Sequence, residues 1–220
     1  AARLVGADAA ITLVKNLPVA SGIGGGSADA AAVLRGLARM GVALPAHPER
    51  LGADVPVGLA SRPLRMRGVG EVLDAVPEMP DLHLVLVNPG VGISTPQIFK
   101  ALASKDNPPL PPMPDRFDLA GLVDYLKTCR NDLQAPAIAL CPDVGEVLEA
   151  LEAEGALLAR MSGSGATCFG IFADASAAGL AAYRIGDSPV NTLTPLMVYL
   201  PFIVTIAQRY RKDSGIGTII

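Results

Sequence analysis

The segment Leu17 to Leu34, LPVASGIGGGSADAAAVL, sets Gly22, Gly24, Gly25 and Gly26 between a strand-like run, Ile11 to Leu17, and a helical run, Ser27 to Met40. A strand that enters a glycine-rich turn and leaves as a helix builds an anion site. Glycines let backbone N–H groups approach a phosphate, and the helix start adds unpaired donors and partial positive charge. Gly25 is one position where a Cβ is expected to interfere with that approach. Ser27 is placed either to cap the helix or to offer its hydroxyl to a phosphate or metal. A plain turn is the alternative, but a turn needs one or two glycines for positive φ, whereas four glycines crowd this one. Two other phosphate loops are excluded by spelling. No lysine follows Gly26, as a P-loop requires, and Ser27 stands where the dinucleotide fingerprint has its third glycine or alanine.

Other segments supply the elements that such a loop needs around it. LHLVLVNPG is an apolar strand broken at Asn88-Pro89-Gly90. PDVGEVLEALEAEGA is an amphipathic helix with Val144, Val147, Leu148 and Leu151 on one face and Glu146, Glu149, Glu152 and Glu154 largely off it. MSGSG is a second glycine turn that leads into the strand ATCFGIF. Its backbone could approach a phosphate or line a cleft, and an ordinary tight hairpin turn fits equally well. NPPLPPMPD, from Asn107 to Asp115, is a proline-rich surface connection, and the chain has no internal repeat.

Composition narrows the function classes. The 220 residues fit one domain, or one and a fraction, and can bury a substantial core. The formal net charge of −3 gives no basic field for nucleic acid, and 4% aromatics without tryptophan offer few stacking surfaces. Cys129, Cys141 and Cys168 are widely spaced and are joined only by His47 and His83, so no metal cage is spelled. Free buried thiols in a cytoplasmic protein are the expected reading, and the opening residues carry no secretory pattern.

The pattern Pro-x(3)-Gly-x-Gly-Gly-Gly-Ser-x-Asp-Ala-Ala, starting at Pro18, resembles the central ATP loop of the GHMP kinase superfamily of small-molecule kinases. Leu51 to Leu73, Leu84 to Leu102 and Arg130 to Ala173 resemble, in collinear order, one branch of it: the diphosphocytidyl-methylerythritol kinases of non-mevalonate isoprenoid biosynthesis. The likeness covers about Val5 to Ala182. It implies an α+β, GHMP kinase-like fold. Residues 1–80 would form a partial N-terminal ATP-binding domain, and residues 81–182 a ferredoxin-like C-terminal domain. The implied reaction is ATP-dependent phosphorylation of the 2-hydroxyl of diphosphocytidyl-methylerythritol, a small-molecule substrate, with Mg2+ bridging phosphate oxygens.

By the same resemblance, ATP would be held by Pro18, Val19, Ala20, Ser21, Gly22, Ile23, Gly24, Gly25, Gly26, Ser27 and Ala28. Asp54, in LGADVP, would act as base or hydroxyl-orienting carboxylate and contact the substrate; on its residues alone it reads equally as a helix cap. Thr95, in GISTPQIF, matches a substrate-contacting position and also fits a helix cap ahead of Pro96. Asp29 reads as a first-turn acid favoured by the helix dipole, and Arg160 as a solvated or strand-edge charge. The metal ligands stay unassigned beyond Ser27, and the oligomeric state is not legible.

Two features depart from the family pattern. No segment matches its first motif, P-A-K-x-N, to which the resemblance assigns a catalytic lysine beside an aromatic and a histidine that hold the cytosine. Lys15 precedes the loop and does not take that role, so the given chain is expected to have little or no kinase activity. An inactive nucleotide-binding remnant is the alternative. The junction Pro45 to Pro56 is also short of the family's helix by about two to three turns. The second departure is the tail: residues 183–220, from Tyr183 to Ile220, resemble a segment of the aminobenzoyl-glutamate transporter family, as in a fusion. Leu196 to Ala207 is apolar with a basic flank at Arg209, Arg211 and Lys212, yet its 12 residues fall short of the roughly 20 that cross a bilayer. Membrane contact is therefore expected only through this tail.

Overall fold

The computed structural model describes residues 2–6, 8–14 and 21–186. The chain divides into two compact units. One comprises Ala1–Asn16, Gly24–Met79 and Met113–Arg116; the other comprises Leu17–Ile23, Pro80–Pro112 and everything from Phe117 onward.

In the first unit, α1 (Gly25–Arg39) packs on the short α2 (Val55–Ala60). Ala31, Leu34 and Val55 are fully buried at the contact, and Leu51 and Leu59 close its sides. Spacing of three residues between Ala31 and Leu34 puts both on one face of α1, and the alanine lets the two backbones come close. Arg35 adds a polar tie by donating to the Gly58 carbonyl on α2. A single 3-10 turn, Pro48–Leu51, leads to α2. Beyond α2, β1 (Leu64–Arg67) and β2 (Val72–Ala75) form an antiparallel hairpin, with Leu64 opposite Ala75 and Arg67 opposite Val72. The Arg67–Asp74 ion pair across it is exposed and adds little stability.

The strand expected over Ile11 to Leu17 does not form where the chain is described. Residues 8–14 have no regular structure, Ile11, Leu13 and Val14 are 53%, 61% and 74% exposed, and Lys15 to Leu17 lie outside the described residues. Apolar patterning selects a face, but a strand exists only through hydrogen bonds to a neighbour, and none of the described residues supplies one.

The second unit is built on a three-stranded antiparallel sheet in the order β3-β5-β4, with β3 at His83–Val87, β4 at Leu158–Met161 and β5 at Cys168–Phe172. His83 faces Phe172, and Met161 faces Cys168. Alternation along β5 sorts the core into two layers. Cys168 and Phe172 join Val85, Val87 and Met161 against α5 (Gln134–Leu140), α6 (Asp143–Ala153) and α7 (Ala175–Gly186). Ile171 turns the other way, onto Leu158 and Val123 of α4 (Leu119–Thr128), with Phe169 beside them. Helix α6 buries Val144, Leu148 and Leu151, the face expected from its spacing, and Val147 packs alongside.

Arg160 is the strand-edge charge of its two readings, on the edge strand β4, and not the solvated one: its guanidinium donates to the Leu126 carbonyl at 2.9 Å and so caps the last turn of α4. Helix α7 runs through Tyr183, where the transporter-like text begins, as far as Gly186, and Ile185 is buried in the core. Residues 187–220 lie outside the described residues. Among those that are described, no helix is long and apolar enough to cross a membrane.

Candidate active site

Helix α1 begins two residues earlier than its sequence pattern indicates. Gly25 and Gly26 are its first helical residues, and Gly24, in the left-handed region at φ 66°, is the N-cap, with no side chain capping it. Ser27 is therefore the third helical residue rather than a cap, and Asp29 falls in the second turn, since the first turn carries no acid. The reason is steric. The turn needs its positive φ at Gly22 and Gly24, and once past Gly24 the glycines have ordinary helical geometry. The first intrahelical bond is Ala28 N–H to the Gly24 carbonyl at 2.9 Å. The N–H groups of Gly25, Gly26 and Ser27 thus stand at an uncapped helix start, open to an anion.

Asp54 lies in the same unit as that helix start. It occupies the N-cap position of α2, as the capping alternative requires, yet its side chain makes no capping hydrogen bond. The carboxylate is turned toward α1 instead: a Cβ on Gly24 would stand 3.3 Å from Asp54 Oδ2. An exposed carboxylate at the uncapped start of a helix, with no bond of its own to make there, is open to a hydroxyl group of a ligand. The β1–β2 hairpin fixes its location, because the buried Gly70 at the hairpin tip sits directly against the Ala53 carbonyl.

Pro18, Val19 and Ala20 lie outside the described residues. Ser21 and Gly22, in the second unit, are held by the second glycine turn. Thr167 N–H donates to the Ser21 carbonyl at 3.2 Å, Thr167 Oγ1 donates to the same oxygen, and Ser162 Oγ donates to the Gly22 carbonyl at 2.9 Å. MSGSG takes the hairpin-turn reading, with an added role in holding Ser21 and Gly22. It is the β4–β5 hairpin loop, closed by Ser162 N–H to the Thr167 carbonyl at 2.8 Å, and its far side grips the first glycine turn.

Thr95 is the first residue of α3 (Thr95–Lys100), with Ser94 at the N-cap, so it does not cap the helix. Its hydroxyl pairs with Ser164 Oγ at 2.9 Å, which ties this exposed threonine to the same second turn. A cavity of ≈ 690 Å³ opens beside that turn, with Phe99, Lys105, Arg130, Asn131, Ser162 and Gly163 on its walls.

Several residues here escaped the sequence reading. Asn131 Nδ2 donates to the Met161 carbonyl at 3.0 Å and the Gly163 carbonyl at 2.8 Å, while Gln134 Oε1 accepts from Met161 N–H at 3.0 Å. Both belong to the RNDLQ stretch, where the family resemblance and a run of polar residues directly ahead of a helix were signals that gave neither residue a role. Asn131→Asp is expected to lower stability by about 1–3 kcal/mol, because a carboxylate would face two carbonyls that now receive an N–H. Urea unfolding measures it; an unchanged midpoint would mean that the clamp carries no free energy.

The cysteines take no part in this arrangement. Cys141 and Cys168 are buried, and desolvation raises both thiols, Cys168 to about 12, so neither is a thiolate nucleophile at neutral pH. Among the described residues no group of three His, Cys, Asp or Glu gathers to hold a metal ion.

Comparison with known proteins identifies the family. The model for the GHMP kinases N terminal domain matches residues 1–55, and the model for the GHMP kinases C terminal domain matches residues 116–190. A protein of Paracoccus denitrificans called 4-diphosphocytidyl-2-C-methyl-D-erythritol kinase is 64% identical over 191 residues, covering 86% of this chain and 68% of the relative. The chain belongs to the 4-diphosphocytidyl-2-C-methyl-D-erythritol kinase family. A kinase of the same name from Cereibacter sphaeroides is 57% identical over 194 residues, covering 84% of this chain and 69% of its own length.

Among solved structures, a crystal structure of 4-(cytidine 5'-diphospho)-2C-methyl-D-erythritol kinase superposes with a TM-score of 0.64 at 32% identity, over 78% of this chain and 64% of the other. This chain thus spans about two thirds of these kinases. The family carries the GHMP kinase fold, with mixed helices and strands in small sheets, as the sequence implied. The model for the AbgT putative transporter family matches residues 173–220, where the transporter resemblance lies, and overlaps the end of the kinase match.

Proposed function

We propose that this chain carries the nucleotide-binding and phosphoryl-transfer parts of a kinase acting on 4-diphosphocytidyl-2-C-methyl-D-erythritol, with ATP as donor and the 2-hydroxyl as acceptor. The observation that carries the reading is the pairing, within one unit, of an uncapped glycine-rich helix start with a carboxylate that has refused its own cap. The N–H groups of Gly25, Gly26 and Ser27 bind phosphate oxygens, and Asp54 orients the acceptor hydroxyl and takes its proton. Positioning and charge neutralisation supply most of the catalysis in phosphoryl transfer, so this modest set of groups is sufficient in kind. Thr95 contacts the acceptor substrate, and Ser164 fixes the rotamer of its hydroxyl.

Magnesium bound with ATP would supply neutralising positive charge to the phosphates. Of the described groups near the helix start, the hydroxyl of Ser27 and the carboxylate of Asp54 are hard oxygen donors of the type that ion accepts. A donor set this small fits an ion carried mainly by the nucleotide and water. The protein acts in the cytoplasm on this reading. The test is transfer of the γ-phosphate to 4-diphosphocytidyl-2-C-methyl-D-erythritol by the chain completed with a family N-terminus that carries the P-A-K-x-N motif, followed by 31P NMR. Incorporation that requires both ATP and magnesium supports the reading. ATP binding without incorporation would leave only a nucleotide-binding remnant.

A further inference from the structure

Asn88, at the end of β3, is buried, and both ends of its amide are committed. Gly90 N–H reaches Oδ1 at 2.8 Å, and Nδ2 lies 2.8 Å from Thr167 Oγ1. A backbone N–H can only donate, so the atom facing Gly90 must be the oxygen, and the NH2 group is thereby turned on Thr167. Facing a donor, the Thr167 hydroxyl must accept there. Its single proton is left for the Ser21 carbonyl, which it reaches while being 4% exposed. The chain Asn88 to Thr167 to Ser21 therefore has one direction only.

That direction matters because of the next bond. The Ser21–Gly22 peptide is planar and trans, so pinning the Ser21 carbonyl fixes the Gly22 N–H on the opposite side, pointing away from the second glycine turn. Ser162 Oγ on the Gly22 carbonyl does the same to the Ile23 N–H. We propose, on the nucleotide-binding reading above, that Asn88 is a positioning residue of the phosphate loop: it orders a buried proton chain through Thr167 that holds the Gly22 N–H ready for a phosphate oxygen. The same amide holds the turn at Gly90 that leads to Thr95, so one side chain sets the base of both ligand-contacting segments.

The chain is tested by reversing its direction. In Asn88→Asp the Gly90 bond persists, but the Thr167 hydroxyl now meets an acceptor and turns its proton toward it, releasing the Ser21 carbonyl to a single donor. Thr167→Val removes the hydroxyl without adding charge, and Thr167→Ser restores it. In the N-terminally completed protein, calorimetry with ATP and magnesium should show Kd raised about 3–10-fold in Asn88→Asp and Thr167→Val, with Thr167→Ser at the parent value. KM for the acceptor substrate should stay unchanged in Asn88→Asp, which keeps the Gly90 bond, so that only the nucleotide constant moves.

Folded Asn88→Asp and Thr167→Val proteins that bind ATP like the parent overturn the proposal. So does a Thr167→Ser protein as weak as Thr167→Val, which would trace the effect to packing of the threonine methyl. If the parent itself binds no ATP, the nucleotide-binding reading fails. The relay is then judged by hydrogen exchange at the Thr167 amide, which is bonded to the Ser21 carbonyl and should quicken in Thr167→Val but not in Thr167→Ser.

Discussion

Asp54→Asn is expected to lower kcat by about 10²–10⁴-fold in the N-terminally completed protein and to leave ATP affinity nearly unchanged. The substituted amide keeps the shape of the carboxylate but cannot take the proton of the acceptor hydroxyl, which is lost only as the bond to phosphorus forms. Because Asp54 makes no capping bond, its replacement costs α2 nothing in stability, and an unchanged melting temperature separates chemistry from folding. A companion change tests how the carboxylate is placed. Gly70→Ala drives a Cβ into the Ala53 carbonyl and must shift the residue that precedes Asp54. Misplacement on the ångström scale is worth up to about 10²-fold in rate, so kcat should fall although Asp54 itself is intact. Steady-state kinetics with both substrates decides the matter. Full turnover in Asp54→Asn would remove the carboxylate from the mechanism.

The glycine-rich helix start was legible in the sequence because its geometry is local. Four glycines before an alanine-rich helix announce positive φ, exposed N–H groups and a helix start within one stretch of chain. Local reading still misplaced the helix boundary by two residues. Glycine is counted as a helix breaker, yet Gly25 and Gly26 are held helical by the turn that precedes them. Helix α6 and strand β5 were legible for the same reason, since their periodicities are those of one face against one core.

What the sequence hid is pairwise and long-range. Asn131 and Thr167 are ordinary polar residues until the fold brings them to carbonyls on distant segments, as Asn88 is until it meets the Thr167 hydroxyl, and no spacing rule links Thr167 to Ser21. The strand-like text from Ile11 fails in the opposite sense: its pattern is correct for a strand, but a strand is a property of two segments.

The glycines of the loop divide into two kinds, and opposite outcomes distinguish them. Gly22 has φ +74°, and a Cβ there would collide with the Gly165 carbonyl of the second turn. An L side chain in the left-handed region costs about 1–2 kcal/mol, and forcing atoms into a packed contact costs a further 1–3 kcal/mol or so. Gly22→Ala is therefore expected to separate the two glycine turns and lose about 2–5 kcal/mol of stability, with nucleotide binding lost as a consequence. Gly26 has helical geometry, and a Cβ added there would meet no protein atom within 4 Å. Nothing in the protein itself demands a glycine there, and alanine in a helix is favoured over glycine by up to about 1 kcal/mol. Gly26→Ala should consequently raise the melting temperature while weakening ATP, because the added methyl occupies space reserved for phosphate. Thermal unfolding with and without ATP reads both effects in one experiment. If Gly26→Ala binds ATP as tightly as the parent, phosphate does not approach the helix start, and the cradle must be moved elsewhere on the chain.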